Sequence, residues 1–504
     1  MKLIEKLNVL RNAGGKARTV GLPDATIERF AARFPELGAA VDDAHARFLE
    51  LQTTLPDIIA MDETAQMHAA QDAFVNFYAD DNVNPYIALS ARGPWLVTLK
   101  GAVIHDSGGY GMLGFGHAPE VVLKAMNQPH VMANVMTPSL SQLRLARALR
   151  REIGHSRGGC PYAKFLCLNS GSESVSLAGR IADVNTRLMT DPGAPHAGWK
   201  VKRIAVKGAF HGRTELPMLY SDSSRKAYAT HLASFKHVEH TIITIEPYDV
   251  EALHKAFEDA AREHVHIEAM FMEPVMGEGN PGRAVPAAFY AAARELTKRH
   301  HTLLLMDSIQ AGLRTTGNLS VVDNPGYEGL EAPDMETYSK ALNAGQYPLS
   351  VLAVNERAAN LYRKGIYGNT MTTNPRAMDV ACAVLDTITP ELRANIRDRG
   401  REFVDKFQAL ARELPGLITN VQGTGLLFSA ELSADFKCYG TGSTEEYMRE
   451  RGFGVIHGGT NSLRFTPPFN VTSEEVDLII DGVRDALLNG PRMSVEAPKA
   501  AAAA

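Results

Sequence analysis

Residues 302–317 read TLLLMDSIQAGLRTTG, with five largely apolar residues running into Asp307. A continuous apolar run of this kind is the pattern of a strand covered on both faces in a parallel sheet. Asp307 then stands at the strand's carboxyl end, where open α/β sheets bind their ligands. A carboxylate in that position needs a cation or strong donors to offset its desolvation. Runs of similar texture lie on either side: WLVTL (95–99), FLCLN (165–169), RIAV (203–206), MFMEP (270–274) and SVLAV (350–354). They alternate with helical segments of about 10 to 20 residues, the rhythm of an α/β domain with a mostly parallel sheet.

Other strand ends carry polar groups of a matching kind. FLCLN leads into Ser170, Gly171 and Ser172 and then a helix, whose free N–H groups and Ser172 hydroxyl suit a phosphate. A plain serine cap would look the same in isolation. RIAV leads to Phe210, His211, Gly212 and Arg213, an aromatic beside a cation, which suits a flat anionic ligand. His211 reads equally well as a hydrogen-bonded structural residue. MFMEPVMGEG brings Glu273 and Glu278. TYSKALNAG (337–345) places Lys340 at a further strand end. A lone lysine is ordinarily solvated. A phosphate cradle, an aromatic plate, a buried carboxylate and a lysine on one sheet edge together describe a site for pyridoxal 5'-phosphate, whose aldehyde a lysine captures as a Schiff base.

The 504-residue chain holds 52 basic and 57 acidic residues, interspersed, so no basic footprint for nucleic acid appears. Four scattered cysteines suggest neither a disulfide framework nor a zinc site, and no metal is expected. No apolar run reaches the ~18 residues of a membrane span and no secretory h-region opens the chain, so a cytoplasmic protein without membrane partners is expected. Gly109, Gly111 and Gly114 have the spacing of a dinucleotide-binding loop. No Asp or Glu lies between Glu120 and Glu152 to bond a ribose, so these glycines are expected to serve a tight backbone path instead.

The segments LGFGHAPEVV, LNSGSES, AFHGRT, EPVMGEG, MDSIQAGLRTTG, YSKALNAG, TMTTNP and LRFTPP, in this order, resemble the class III (ornithine/4-aminobutyrate type) aminotransferases of PLP fold type I, over roughly residues 85 to 490. The resemblance implies roles. Gly171 and Ser172 match the phosphate-binding turn, Phe210 the ring-stacking aromatic, Asp307 the partner of the pyridine nitrogen, Gln310 the neighbour of the phenolic oxygen, and Lys340 the Schiff-base lysine. Thr370 matches a threonine that the neighbouring subunit lends to the phosphate, which implies a homodimer with shared active sites. Arg464 matches an arginine that binds an α-carboxylate, Glu278 the acid that pairs with it, and Arg213 a second carboxylate site. Ser308 stands where the family usually has glutamate, Arg314 and Thr315 where Gly-Arg is common, and TMTTNP replaces a more Gly-rich run.

The expected fold is α/β: a large domain (116–389) with a mostly parallel mixed sheet flanked by helices, and a smaller α+β domain from residues 86–115 and 390–490. A helical extension (1–85) precedes them and a disordered tail (491–504) follows. The expected function is transamination from an amino acid or ω-amino compound to a keto acid, 2-oxoglutarate or pyruvate, by a ping-pong route. Racemisation or decarboxylation on the same fold, and a non-catalytic binding protein, are the alternatives.

Overall fold

The computed structural model describes residues 1–131 and 135–493, so the expected tail lies outside the described residues from 494 onward. Strands β1 (Ala88–Arg92), β2 (Trp95–Thr98) and β3 (Val103–Asp106) form an antiparallel meander. N-terminal helices cover it: Leu7, Ile27, Phe30, Val41 and Phe48 share one core with Trp95 and Val103. Ile27, Phe30, Ala31 and Phe34 stand at i, i+3, i+4 and i+7, the spacing of one helix, but only the first three lie in it and Phe34 caps the next. The helix Asp24–Ala31 ends, and Pro35–Thr54 restarts with proline in its first turn. Pro35 has no N–H to continue the first helix and keeps Phe34 extended, at φ -116° and ψ 96°. Pro23 takes the cap position and Asp24 is the first helical residue. Buried Lys100 donates to the carbonyls of Gly14 (2.5 Å) and Ile59 (3.0 Å), fastening the N-terminal helices to the meander.

Seven strands make the large sheet: β4 (Lys164–Leu168), β5 (Lys200–Val206), β6 (Ile242–Ile245), β7 (Val265–Met272), β8 (Leu303–Asp307), β9 (Met335–Tyr338) and β10 (Ser350–Val354), in the order β4-β10-β9-β8-β7-β5-β6. Only β10 runs against its neighbours. β7, β8 and β10 are buried at every position. Their alternate residues feed two cores: Met270, Leu304 and Met306 on one face, Ala269, Phe271, Leu303 and Leu305 on the other. Burial on both faces is why these strands read as unbroken apolar runs rather than as alternation. The shared direction of β4, β5, β7, β8 and β9 brings their carboxyl ends to one edge of the sheet.

The C-terminal segment adds β11 (Ile418–Thr424), β12 (Leu427–Leu432), β13 (Phe453–Gly454), β14 (Ile456–Gly458) and β15 (Ser462–Phe465). β13 pairs in parallel with β3 and closes the N-terminal sheet, while β11-β12-β15-β14 form an antiparallel sheet. Phe403 and Phe407, from the helix Pro390–Glu413, pack on Phe428 of β12. The glycine loop before residue 115 lies between these parts. A Cβ on Gly114 would fall 2.5 Å from the Phe469 ring, and Gly111, at φ +81°, lies against Gln310 and Arg314. The glycines admit close packing.

At the amino end of the large sheet, His196 Nδ1 lies 3.1 Å from His266 Nδ1, and Trp199 stacks on His196. Burial, reinforced by His196, His301 and Arg357, holds His266 down to about 4. A depressed histidine means that the unfolded chain takes up the proton first. Stability is therefore whole above about pH 6.5 and is lost as pH falls from there towards 4, by on the order of 3 kcal/mol. Melting temperature against pH should fall more steeply over this window in the native chain than in His266→Gln; parallel curves would show that His266 contributes nothing to the acid limb.

Candidate active site

The carboxyl edge of the sheet delivers its side chains into one cleft of about 170 Å³, lined by Gly171, Ser172, Phe210, Asp307, Gln310 and Lys340, together with His211 and Glu273. Ser170 caps the 20-residue helix Gly171–Thr190, accepting from the Glu173 N–H, and the N–H groups of Gly171 and Ser172 are left for a ligand. The turn is tight because glycine allows it. A Cβ on Gly171 would meet Ile309 at 2.5 Å, and one on Gly212, at φ +111°, would meet the Ser172 hydroxyl at 2.3 Å.

Asp307 is 4% exposed. Its Oδ1 accepts from the Ile309 N–H (3.1 Å) and its Oδ2 from His211 Nδ1 (2.8 Å). Lys340 is held in the left-handed backbone region at φ 45°, uncommon for a residue with a side chain and a form of strain that collects at functional sites. Its Nζ donates to Gln310 Oε1 at 3.2 Å. Burial lowers the Lys340 amine to about 8, Glu278 working against that shift and Arg464 with it.

Glu278 lies between two arginines, with Oε2 3.2 Å from Arg464 Nη1 and Oε1 3.7 Å from Arg213 Nη2. Burial alone would raise its carboxyl. Arg464, Lys340 and Arg213 outweigh that and hold it below the ordinary glutamate range. Arg464, 1% exposed, also donates to the Gly277 carbonyl, and its guanidinium lies 5.4 Å from the Tyr110 ring centre. Arg213 lies 5.2 Å from the ring centre of Phe210.

Thr370 is placed elsewhere. It lines a separate cleft of about 700 Å³, with Leu149, Phe165, Cys167 and Tyr367, away from Lys340. Where the family resemblance expects a glutamate, the Ser308 hydroxyl donates 2.6 Å to Glu336, so β9 supplies a buried carboxylate next door. Tyr162 (2.7 Å) and the Val321 N–H (2.8 Å) bind the same group. Arg314, fully buried, donates to the carbonyls of Gly111, Leu426 and Pro467, joining the β8 loop to both halves of the smaller region; burial pushes it down to about 9.

Three further residues take parts that the sequence left unassigned. Glu273 accepts from the Phe210 N–H (3.0 Å) and the Gly277 N–H (2.8 Å), clasping two strand-end loops, and burial pushes its carboxyl up to about 7. His211 bonds Asp307 directly, and Tyr110 covers Arg464. Their only sequence signals are an acid at a strand end and aromatic residues beside glycines.

The donor set fits pyridoxal 5'-phosphate. Gln310 Nε2 is buried without a partner among the described residues, a donor available to an oxygen beside Lys340.

Comparison with known proteins agrees. The family model for aminotransferase class-III matches residues 77–487. An ornithine aminotransferase from Toxoplasma gondii, whose structure is described as having partial occupancy of PLP, superposes with a TM-score of 0.69 at 24% identity, over 84% of this chain and 94% of that one. An N-acetylornithine aminotransferase from Stenotrophomonas maltophilia gives 0.64 at 23%, covering 84% and 98%. A transaminase from a marine Virgibacillus gives 0.69 at 18%, again 84% and 98%. At these identities the likenesses establish a shared fold, and the family match carries the activity: this chain belongs to the class III aminotransferases, transaminases that work with pyridoxal 5'-phosphate.

Proposed function

We propose that the enzyme moves an amino group from an amino acid or ω-amino compound to 2-oxoglutarate or pyruvate, with one site serving both half-reactions. The observation that supports this is Glu278 between Arg464 and Arg213. A site that must accept a dicarboxylate and then a differently charged partner needs an arginine whose charge can be engaged or masked, and Glu278 masks Arg464 when no carboxylate is present.

Bound, pyridoxal 5'-phosphate supplies a carbonyl that takes up amines and a ring that draws electrons from the substrate's α-carbon. The chain's residues do the rest. Gly171 and Ser172 would hold the phosphate, Phe210 would stack on the ring, and Gln310 would donate to the ring's oxygen. Asp307, oriented by His211, would pair with the ring nitrogen and hold its proton in place. Lys340 anchors the cofactor at rest. Once free, it is an amine lowered to about 8, suited to take the α-proton and return it nearby.

Arg464→Ala is expected to raise KM for the keto acid about tenfold to a hundredfold with a smaller change in kcat, the loss of one charge-assisted pair. An unchanged KM would place the carboxylate elsewhere. A donor screen against 2-oxoglutarate and pyruvate, read at the cofactor's absorbance, tests the acceptor. Conversion by neither would sink this part of the reading.

The active unit in this reading is a homodimer in which Thr370 reaches the partner's phosphate. Exposed Val135, Leu140, Leu143 and Met371 surround or adjoin the cleft that holds Thr370, apolar surface that a second copy would cover. Sedimentation at micromolar concentration checks it. The working compartment proposed is the cytoplasm. Among the described residues no helix is long and apolar enough to cross a membrane, and the four cysteines are free thiols.

A further inference from the structure

We infer that Glu173 is a positioning residue that ties the phosphate turn to the loop carrying Thr370, so that seating this loop and closing the turn on a cofactor are one event. The single carboxylate receives four donors. Its Oε2 accepts from the N–H groups of Asn169 (2.8 Å) and Ser170 (3.0 Å), on the turn. Its Oε1 accepts from the Tyr367 hydroxyl (2.9 Å) and Asn369 Nδ2 (2.9 Å), on the loop. The capping box explains only the bond from the Ser170 N–H. The second pair crosses from helix Gly171–Thr190 to a segment nearly two hundred residues away. The four donors occupy both oxygens of the carboxylate and hold it on the side of the helix N-terminus towards the loop. Tyr367 carries the mark of the contact: burial first, then Glu173, raises its phenol to about 12.

The inference rests on Gly171 and Ser172 being the phosphate turn. If it holds, losing the loop bonds loosens the phosphate even though neither Tyr367 nor Asn369 lines the cofactor cleft. In the proposed dimer Thr370 sits on the same loop, so Glu173 would link the retention of one site's cofactor to the residue lent to the other.

The test uses the pyridoxamine 5'-phosphate form, which no bond to Lys340 retains, and measures its Kd by equilibrium dialysis. Glu173→Gln and Tyr367→Phe should each weaken binding about five- to tenfold, one hydrogen bond's worth. The double variant should be no weaker than Glu173→Gln alone. Additive losses, or an unchanged Kd in Tyr367→Phe, would overturn the coupling. A lower melting temperature of the apoprotein with unchanged Kd would make the contact merely structural and end the proposal too. Ser172→Ala separates the premises. If it leaves Kd unchanged, the phosphate turn itself is misassigned; if it weakens binding while the cycle is additive, only the role of Glu173 falls.

Discussion

Replacing Lys340 with alanine is expected to lower turnover about a thousandfold or more, the range spanned by losing a proton-transfer group together with a covalent anchor. The fold should survive. The amine is held at about 8 by burial, so the folded state bears a cost for its charge that alanine removes. The visible absorbance of the holoenzyme should shift as well, because the internal linkage is lost. Steady-state assays with excess cofactor, beside an absorbance spectrum, decide the matter. Full turnover with an unchanged spectrum would remove Lys340 from the mechanism.

Asp307→Asn should reduce kcat about a hundredfold and weaken cofactor retention. Asparagine keeps the shape but not the charge, and the charge-assisted bond from His211 is lost with it. The folded chain should be little disturbed, since the Ile309 N–H can still donate to the amide oxygen. Rate measured against cofactor concentration separates the two effects: a deficit that saturating cofactor restores would make Asp307 a binding group alone. Near-native kcat at all concentrations would contradict its pairing with the ring nitrogen.

Asp307 was legible because of what precedes it. Four apolar residues in a row announce a strand buried on both faces, and a carboxylate ending such a strand has to meet something. Lys340 was legible only through its company, as nothing in TYSKALNAG distinguishes it from a solvated lysine. Arg464 and Glu278 came from resemblance, and their contact joins positions 186 residues apart. The contacts made by Glu273, His211 and Glu173 were beyond reach for one reason. Each acts through partners on other strand ends or loops, and which ends are neighbours depends on strand order. Strands β7 to β10 follow sequence order in reverse, but nothing in that order places β4 beside β10 or β5 rather than β6 beside β7.

The N-terminal helices show the same division. Their apolar positions were visible, but spacing alone joined Phe34 to the helix that Pro35 ends. Ser308 looked like a missing acid until Glu336 was found supplying one from the adjacent strand. By itself, then, the sequence determined the alternation of strands and helices, the strand ends that carry chemistry, and the cofactor those residues suit, because periodicity and burial of runs are local properties. Only the tertiary structure decided which ends converge. Convergence shaped the cleft, lowered Lys340 by burial, set Glu278 between two arginines and kept Thr370 away from it. Desolvation and pairing arise from distance across the sheet edge, a quantity that separation along the chain does not encode.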